Sequence, residues 1–233
     1  MKMSLDDAIG RIEAAYANFG YTLGWEFLYG PASTLACPNG LMLMGINPGG
    51  DRYKVTQTVE AGNDYLIGRW SKDGTILQSQ VLRFFEVLAA SSLGRGATAR
   101  ELLNATLTTN FCPFVSPTWK DLPNRAKAVA FSNRLWSDLL GQTSPKVIIC
   151  MGRVPFPYLE SILRNLGKLR GNTELPTGWG AYQFRVQSYG LGSSISVLAR
   201  IPHFSQYRLM SRAECLPRVQ DFVRQIEKAF GGV

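Results

Sequence analysis

The chain has 233 residues, 45% of them hydrophobic, and 25 Lys and Arg against 17 Asp and Glu give it a formal net charge of +8. That length and apolar content suffice for one well-buried domain over residues 1–233, undivided by any linker-like or charge-block stretch. No run of about 18 apolar residues occurs, so no segment is expected to span a membrane, and the basic balance favours a polyanionic partner over an acidic protein surface or a neutral metabolite.

Ser4, with Asp7 three positions on, resembles a capping box, and Leu5, Ile9, Ile12 and Tyr16 follow at helical spacing, predicting a helix over 4–18. This opening lacks the apolar core and small-residue cleavage site of a secretory signal, so an intracellular protein is expected. The apolar run Leu41 to Met44 predicts a strand over 41–46. Val81, Leu82, Phe85 and Leu88 predict a helix near 78–91, followed by a short helix near 97–104 and a strand near 106–111. Apolar positions from Leu122 to Leu140 predict a long helix leading into a strand over 146–152, then a helix near 156–166. Alternation at Tyr182, Phe184 and Val186 marks an extended segment within 179–189, before a strand over 194–200 and a terminal helix over 212–230. Such strand and helix alternation predicts an α/β fold: a three-layer α/β/α sandwich around a mainly parallel sheet of about four strands.

Three strand ends carry chemistry. Gly45-Ile46-Asn47-Pro48-Gly49-Gly50-Asp51 follows the first strand, Thr109-Asn110-Phe111-Cys112-Pro113 ends the second, and Ile201-Pro202-His203-Phe204-Ser205, with the only histidine of the chain, follows the last. Taken singly, an Asn-Pro after a strand is an ordinary turn and a lone histidine an ordinary structural imidazole. Together they converge, because the carboxyl ends of parallel strands lie along one rim, where ligands bind. Cys37, Cys112, Cys150 and Cys215 are scattered without Cys-x-x-Cys spacing, so neither a zinc site nor an iron-sulfur cluster is expected. Neither G-x-G-x-x-G nor G-x-x-x-x-G-K-[ST] occurs, and no cofactor is expected.

These three loops resemble, in order, those of the uracil-DNA glycosylase superfamily. Gly45-Ile46-Asn47-Pro48-Gly49 is similar to the Gly-x-Asn-Pro-Gly loop of its single-strand-selective monofunctional and mismatch-specific branches, and Asn110-Phe111-Cys112-Pro113 to the Asn-x-Cys-Pro segment of the former. Pro202-His203-Phe204-Ser205 resembles the Pro-His-Pro-Ser of the second loop, with Phe204 where the family usually has proline. The most active members have Asp where Asn47 stands and Tyr where Gly49 stands, so the width of the substrate pocket stays open.

The resemblance implies a monomeric, monofunctional enzyme of base excision repair that flips uracil or a related damaged base out of single- or double-stranded DNA. Asn110 would read the uracil edge, accepting from N3–H and donating to O4, while His203 would donate to O2 as charge builds on the leaving base. Asn47, a neutral amide, would hold the attacking water rather than deprotonate it. Asp51 is a further carboxylate near this loop, with helix capping or surface solvation as its ordinary role. Gly45, Ile46, Pro48, Gly49, Tyr65 and Ser205 complete the expected substrate contacts, with Tyr65 as stacking aromatic or simple core residue. Tyr207 or Arg208 would wedge into the duplex or merely sit in an exposed loop. Arg200, Arg208 and Arg212 bracket the His203 loop as phosphate contacts or plain surface charge. No lysine falls in the three loops, which favours simple hydrolysis over Schiff-base chemistry. Two alternatives stand beside this reading: a catalytically silent nucleic-acid-binding relative, and a hydrolase using Cys112 as nucleophile with His203 as base.

Overall fold

A computed structural model describes residues 3–68 and 75–231. Helix α1 (Leu5–Phe19) begins at a complete capping box: Asp7 N–H donates to Ser4 Oγ at 3.1 Å and Ser4 N–H donates to Asp7 Oδ2 at 2.9 Å. It buries Ala8, Ile9, Ile12 and Ala15 along one face. The chain continues through β1 (Gly24–Glu26), β2 (Leu41–Gly45), β3 (Lys54–Thr56) and the single turn α2 (Asp64–Ile67). Next come α3 (Ile76–Ala89), α4 (Ala99–Asn104), β4 (Leu107–Asn110), α5 (Arg125–Thr143), β5 (Val147–Met151) and α6 (Pro155–Leu166). It ends with β6 (Lys168–Pro176), β7 (Gln183–Leu191), β8 (Ser194–Ile201) and α7 (Leu216–Gly231). Both α3 and α4 open on reciprocal boxes of the same type, Thr75 with Gln78 and Thr98 with Glu101.

The fold is mixed α/β, with a six-stranded sheet in the order β4-β2-β5-β8-β7-β6. The first four strands run parallel, whereas β7 is antiparallel to both β8 and β6. The expectation of about four strands therefore accounts for the parallel portion alone. The alternation at 179–189 becomes β7, and β6 is an addition that the sequence pattern did not signal. Its residues are mostly exposed or half-buried, with Leu169 and Leu175 the only leucines in a polar stretch. An edge strand of that kind shows no apolar run.

Both β2 and β5 are buried at every position, as parallel strands covered on two faces must be. Their side chains alternate between two apolar clusters. Met42, Met44, Leu107, Ile148, Cys150 and Leu198 pack with residues of α1, α5 and α6. Leu41, Leu43, Val147, Ile149, Val197 and Ala199 pack with residues of α3, α4 and α7. A separate pair, β1 with β3, runs parallel beside the sheet. Gly24 is required there, because a Cβ would lie 1.8 Å from the Lys54 carbonyl oxygen. Among the described residues no helix is long and apolar enough to cross a membrane.

Candidate active-site cleft

Parallel pairing fixes the geometry of the rim. Gly45, the last residue of β2, stands opposite Asn110, the last residue of β4. Asn47 lies two residues beyond β2, and His203 lies two residues beyond β8. All three side chains line one cleft of about 1020 Å³. Gly45, Ile46, Gly49, Tyr65, Ser205 and Tyr207 line it as well, whereas Pro48 and Arg208 do not. Pro48 is buried beneath its loop and Arg208 is exposed outside the lining.

Asn110 is almost fully buried, at 6% exposure, and its orientation is set by distant residues. Its Nδ2 donates to the Tyr29 hydroxyl at 2.6 Å. The Tyr29 hydroxyl in turn donates to Glu26 Oε2 at 3.5 Å, and the Lys54 ammonium pairs with the same carboxylate at 2.5 Å. Burial and the Glu26 carboxylate hold the Tyr29 phenol well above its usual pKa, so it remains a donor. Gly45 makes room for the amide, since a Cβ there would lie 2.2 Å from Asn110 Oδ1.

Asn47 is held by its amide nitrogen, which donates to the Pro48 carbonyl at 3.0 Å and to Ser116 Oγ at 2.9 Å. Ser116 Oγ donates onward to the Thr118 carbonyl at 2.8 Å. The backbone also stitches the two loops together: Cys112 N–H donates to the Ile46 carbonyl and Ser116 N–H to the Pro48 carbonyl. With both amide protons committed, the Asn47 carbonyl oxygen is the acceptor left to meet a ligand or water.

The His203 tautomer follows from its neighbours. The Ser205 backbone N–H donates to Nδ1 at 3.3 Å, with Ser205 Oγ at 2.8 Å from the same nitrogen. A backbone N–H can only donate, so Nδ1 is the acceptor and the neutral ring carries its proton on Nε2. Burial lowers the His203 pKa below its ordinary value, which favours this neutral form. Phe204, in the place expected of proline, is fully buried and packs on Phe84 with ring centroids 5.5 Å apart. It anchors the loop in the core.

Four cationic side chains, Lys54, Lys120, Arg153 and Arg200, line the cleft with no carboxylate among the described lining residues. Lys54 is neutralised by Glu26. Among the described residues the other three meet no carboxylate within ion-pair distance. Burial, then Arg153 and Arg185, lowers the pKa of Arg200. Arg153 lies over the Tyr182 ring at 5.0 Å, and Tyr182 packs on Tyr207 at 4.4 Å. Arg212 lies outside the lining, over Trp179 at 3.6 Å and beside Glu214 at 3.4 Å. Asp51 is exposed and also outside the lining.

Sequence reasoning missed Tyr29, Glu26 and Lys54. Tyr29 sits in an apolar run that reads as core, and Lys54 comes from β3 rather than from any of the three loops. Two lysines therefore do line the cleft, Lys54 as an ion pair with Glu26, and Lys120 with no carboxylate in ion-pair reach among the described residues. Cys112, by contrast, is fully buried in the cluster around α1, α5 and α6, away from the cleft lining. Burial pushes its thiol up to about 12, so it is neither a thiolate nor within the cleft beside His203. Among the described residues no group of three or more His, Cys, Asp or Glu side chains could hold a metal ion. No family model and no curated protein matches the chain.

Proposed function

We propose that this protein is a monofunctional DNA N-glycosylase, built on a three-layer α/β/α sandwich of the uracil-DNA glycosylase kind, that removes uracil or a related deaminated base from DNA. The observation that carries this reading is the convergence of Asn47, Asn110 and His203, contributed by three separate strand ends, on one cleft whose described lining has cations and no carboxylate. A polyanionic strand suits such a rim, with Lys120, Arg153 and Arg200 available to phosphates.

A flipped uracil presents N3–H beside O4, and the Asn110 carboxamide offers an acceptor and a donor to match, a pairing worth roughly 1–3 kcal/mol against a base of opposite polarity. His203 Nε2–H donates to O2. As the C1′–N1 bond breaks, its electron pair passes to the base, and a neutral donor aimed at the developing oxyanion contributes about 3–4 kcal/mol. The Asn47 carbonyl oxygen accepts from a water aimed at C1′; the water oxygen bonds to C1′ of the oxocarbenium-like sugar, and its proton passes to the departing base anion, which leaves neutral. Positioning takes the place of a general base. Lys54 is tied to the Glu26 carboxylate, Lys120 is taken up by phosphate contact in this reading, and the loops that supply Asn47, Asn110 and His203 carry no lysine, which favours hydrolysis over a Schiff base.

The test is incubation with single- and double-stranded oligonucleotides bearing uracil, hypoxanthine, xanthine or 5-modified uracils, followed by alkali. Scission at the modified position only after alkali is expected. Scission of none of them overturns the reading, and base-selective binding without scission would assign the protein to silent recognition instead.

A further inference from the structure

A free carboxamide has no intrinsic polarity toward a base. Rotated by 180° about its last torsion, Asn110 would accept where it donated and serve cytosine as readily as uracil. What breaks that symmetry here lies behind the cleft. Glu26 is 2% exposed and, as a carboxylate paired with Lys54, can only accept. The Tyr29 hydroxyl has one proton, which it donates to Glu26 Oε2. Its oxygen must then receive from Asn110, as the 2.6 Å contact to Nδ2 records. The opposite rotamer would bring Oδ1 onto a phenol oxygen whose proton points elsewhere. On the other side, the missing side chain of Gly45 leaves the space that Oδ1 fills.

We infer that the Lys54–Glu26–Tyr29 relay locks the Asn110 carboxamide in one orientation, and so restricts the cleft to bases that present an N–H beside a carbonyl. That class includes uracil and hypoxanthine, as against the cytosine and adenine from which deamination makes them, whose edges present a bare ring nitrogen beside an amino group. The restriction on bases rests on the glycosylase reading; the lock itself belongs to the free protein. Tyr29, Glu26 and Lys54 are positioning residues, since they act through Asn110.

Tyr29→Phe removes the hydroxyl and keeps the ring that packs edge-on to Tyr65 at 6.1 Å. Two readouts decide the matter. In the free protein, the Asn110 side-chain amide signal, identified by its loss in Asn110→Asp, is expected to have one proton at least tenfold better protected from solvent exchange than exposed asparagine amides. Tyr29→Phe should abolish that protection. With oligonucleotides, the preference for uracil over cytosine, measured as excision or as binding, should fall about tenfold, and by more than uracil excision itself falls. A merely structural role would lower both bases together and leave the ratio intact.

An unchanged ratio in Tyr29→Phe overturns the specificity role, even where protection is lost. Unchanged protection overturns the lock. A wild-type protein with a protected amide that acts on no DNA refutes the glycosylase reading and the restriction on bases, and leaves the lock standing. Uracil excision with an unaltered ratio refutes the relay and leaves the glycosylase.

Discussion

The two walls of the cleft are built on opposite plans. On the Asn110 wall the functional group is buried, and its partner Tyr29 lies 81 residues away in the chain. A charged relay stands behind it. On the His203 wall the ring is half-buried, its hydrogen-bond partner Ser205 is two residues on, and its tie to the core is its neighbour Phe204. The first plan suits recognition, where a wrong rotamer costs selectivity. The second suits a catalytic donor, which needs its tautomer and its place along the rim more than deep burial.

The contrast is broken most sharply at Phe204. Its ring is fully buried against Phe84, so Phe204→Ala should cost about 3–5 kcal/mol of stability, read by denaturant unfolding. Excision should fall as well, because the loop loses its anchor. A change below about 1 kcal/mol would mean that the loop is held by its local turn alone.

His203→Ala should behave in the reverse sense. Stability should move by only about 0.5 kcal/mol, since the ring's hydrogen bonds are local, while the excision rate should fall some hundreds-fold, or about 3–4 kcal/mol of barrier. Burial lowers the His203 pKa from 6.5, so the working neutral form is retained at pH 7, and kcat/KM should decline on an acid limb lying below 6.5. The stability linkage has the same direction. Below pH 6.5 the unfolded chain binds a proton that the folded ring resists, so stability is lost as pH falls toward the folded pKa. A limb above 6.5 would contradict both statements.

The two plans also explain what could be read in the sequence. The His203 wall is written in consecutive residues, and the parallel strands announce themselves as apolar runs such as Leu41 to Met44 and Val147 to Met151. Once the strands are parallel, Asn47, Asn110 and His203 fall on one rim without further information. The Asn110 wall is different. Glu26, Tyr29 and Lys54 come from β1, the segment after it and β3, and nothing local marks a tyrosine in an apolar run as a hydrogen-bond acceptor or a glutamate as buried. Edge strand β6 escaped for a related reason: its stability comes from pairing with β7, while its own side chains remain largely outside the core.

Lys54 sharpens the same comparison at intermediate cost. Lys54→Met leaves the Glu26 carboxylate, 2% exposed, without its counter-charge. Breaking a fully buried pair costs about 3–5 kcal/mol, and with the Lys54 side chain 31% exposed a loss of about 2 kcal/mol is expected. Glu26→Gln in the same background should restore most of that loss, because the neutral amide needs no cation. A double-mutant cycle isolates the pairwise interaction. Equal losses in the single and double variants would show that the lysine stem, rather than its charge, carries the contact.

The smallest expected effect separates the rim from the loop beyond it. Arg153 lines the cleft over Tyr182, and among the described residues it has no carboxylate in ion-pair reach, whereas Arg208 is exposed outside the lining. If Arg153 meets one phosphate, Arg153→Ala should weaken binding of an oligonucleotide severalfold at low salt and reduce the slope of log K against log salt by about 1. Arg208→Ala should leave that slope unchanged. The two slopes together locate the strand, because counterion release counts phosphates neutralised, whatever base lies in the cleft. Equal reductions would extend the DNA path over the segment after His203, where the family resemblance offers Tyr207 or Arg208 as a wedge and an exposed loop is the alternative. A reduction in Arg208→Ala alone would shift the path away from the β7 side of the cleft, and Tyr182 with it.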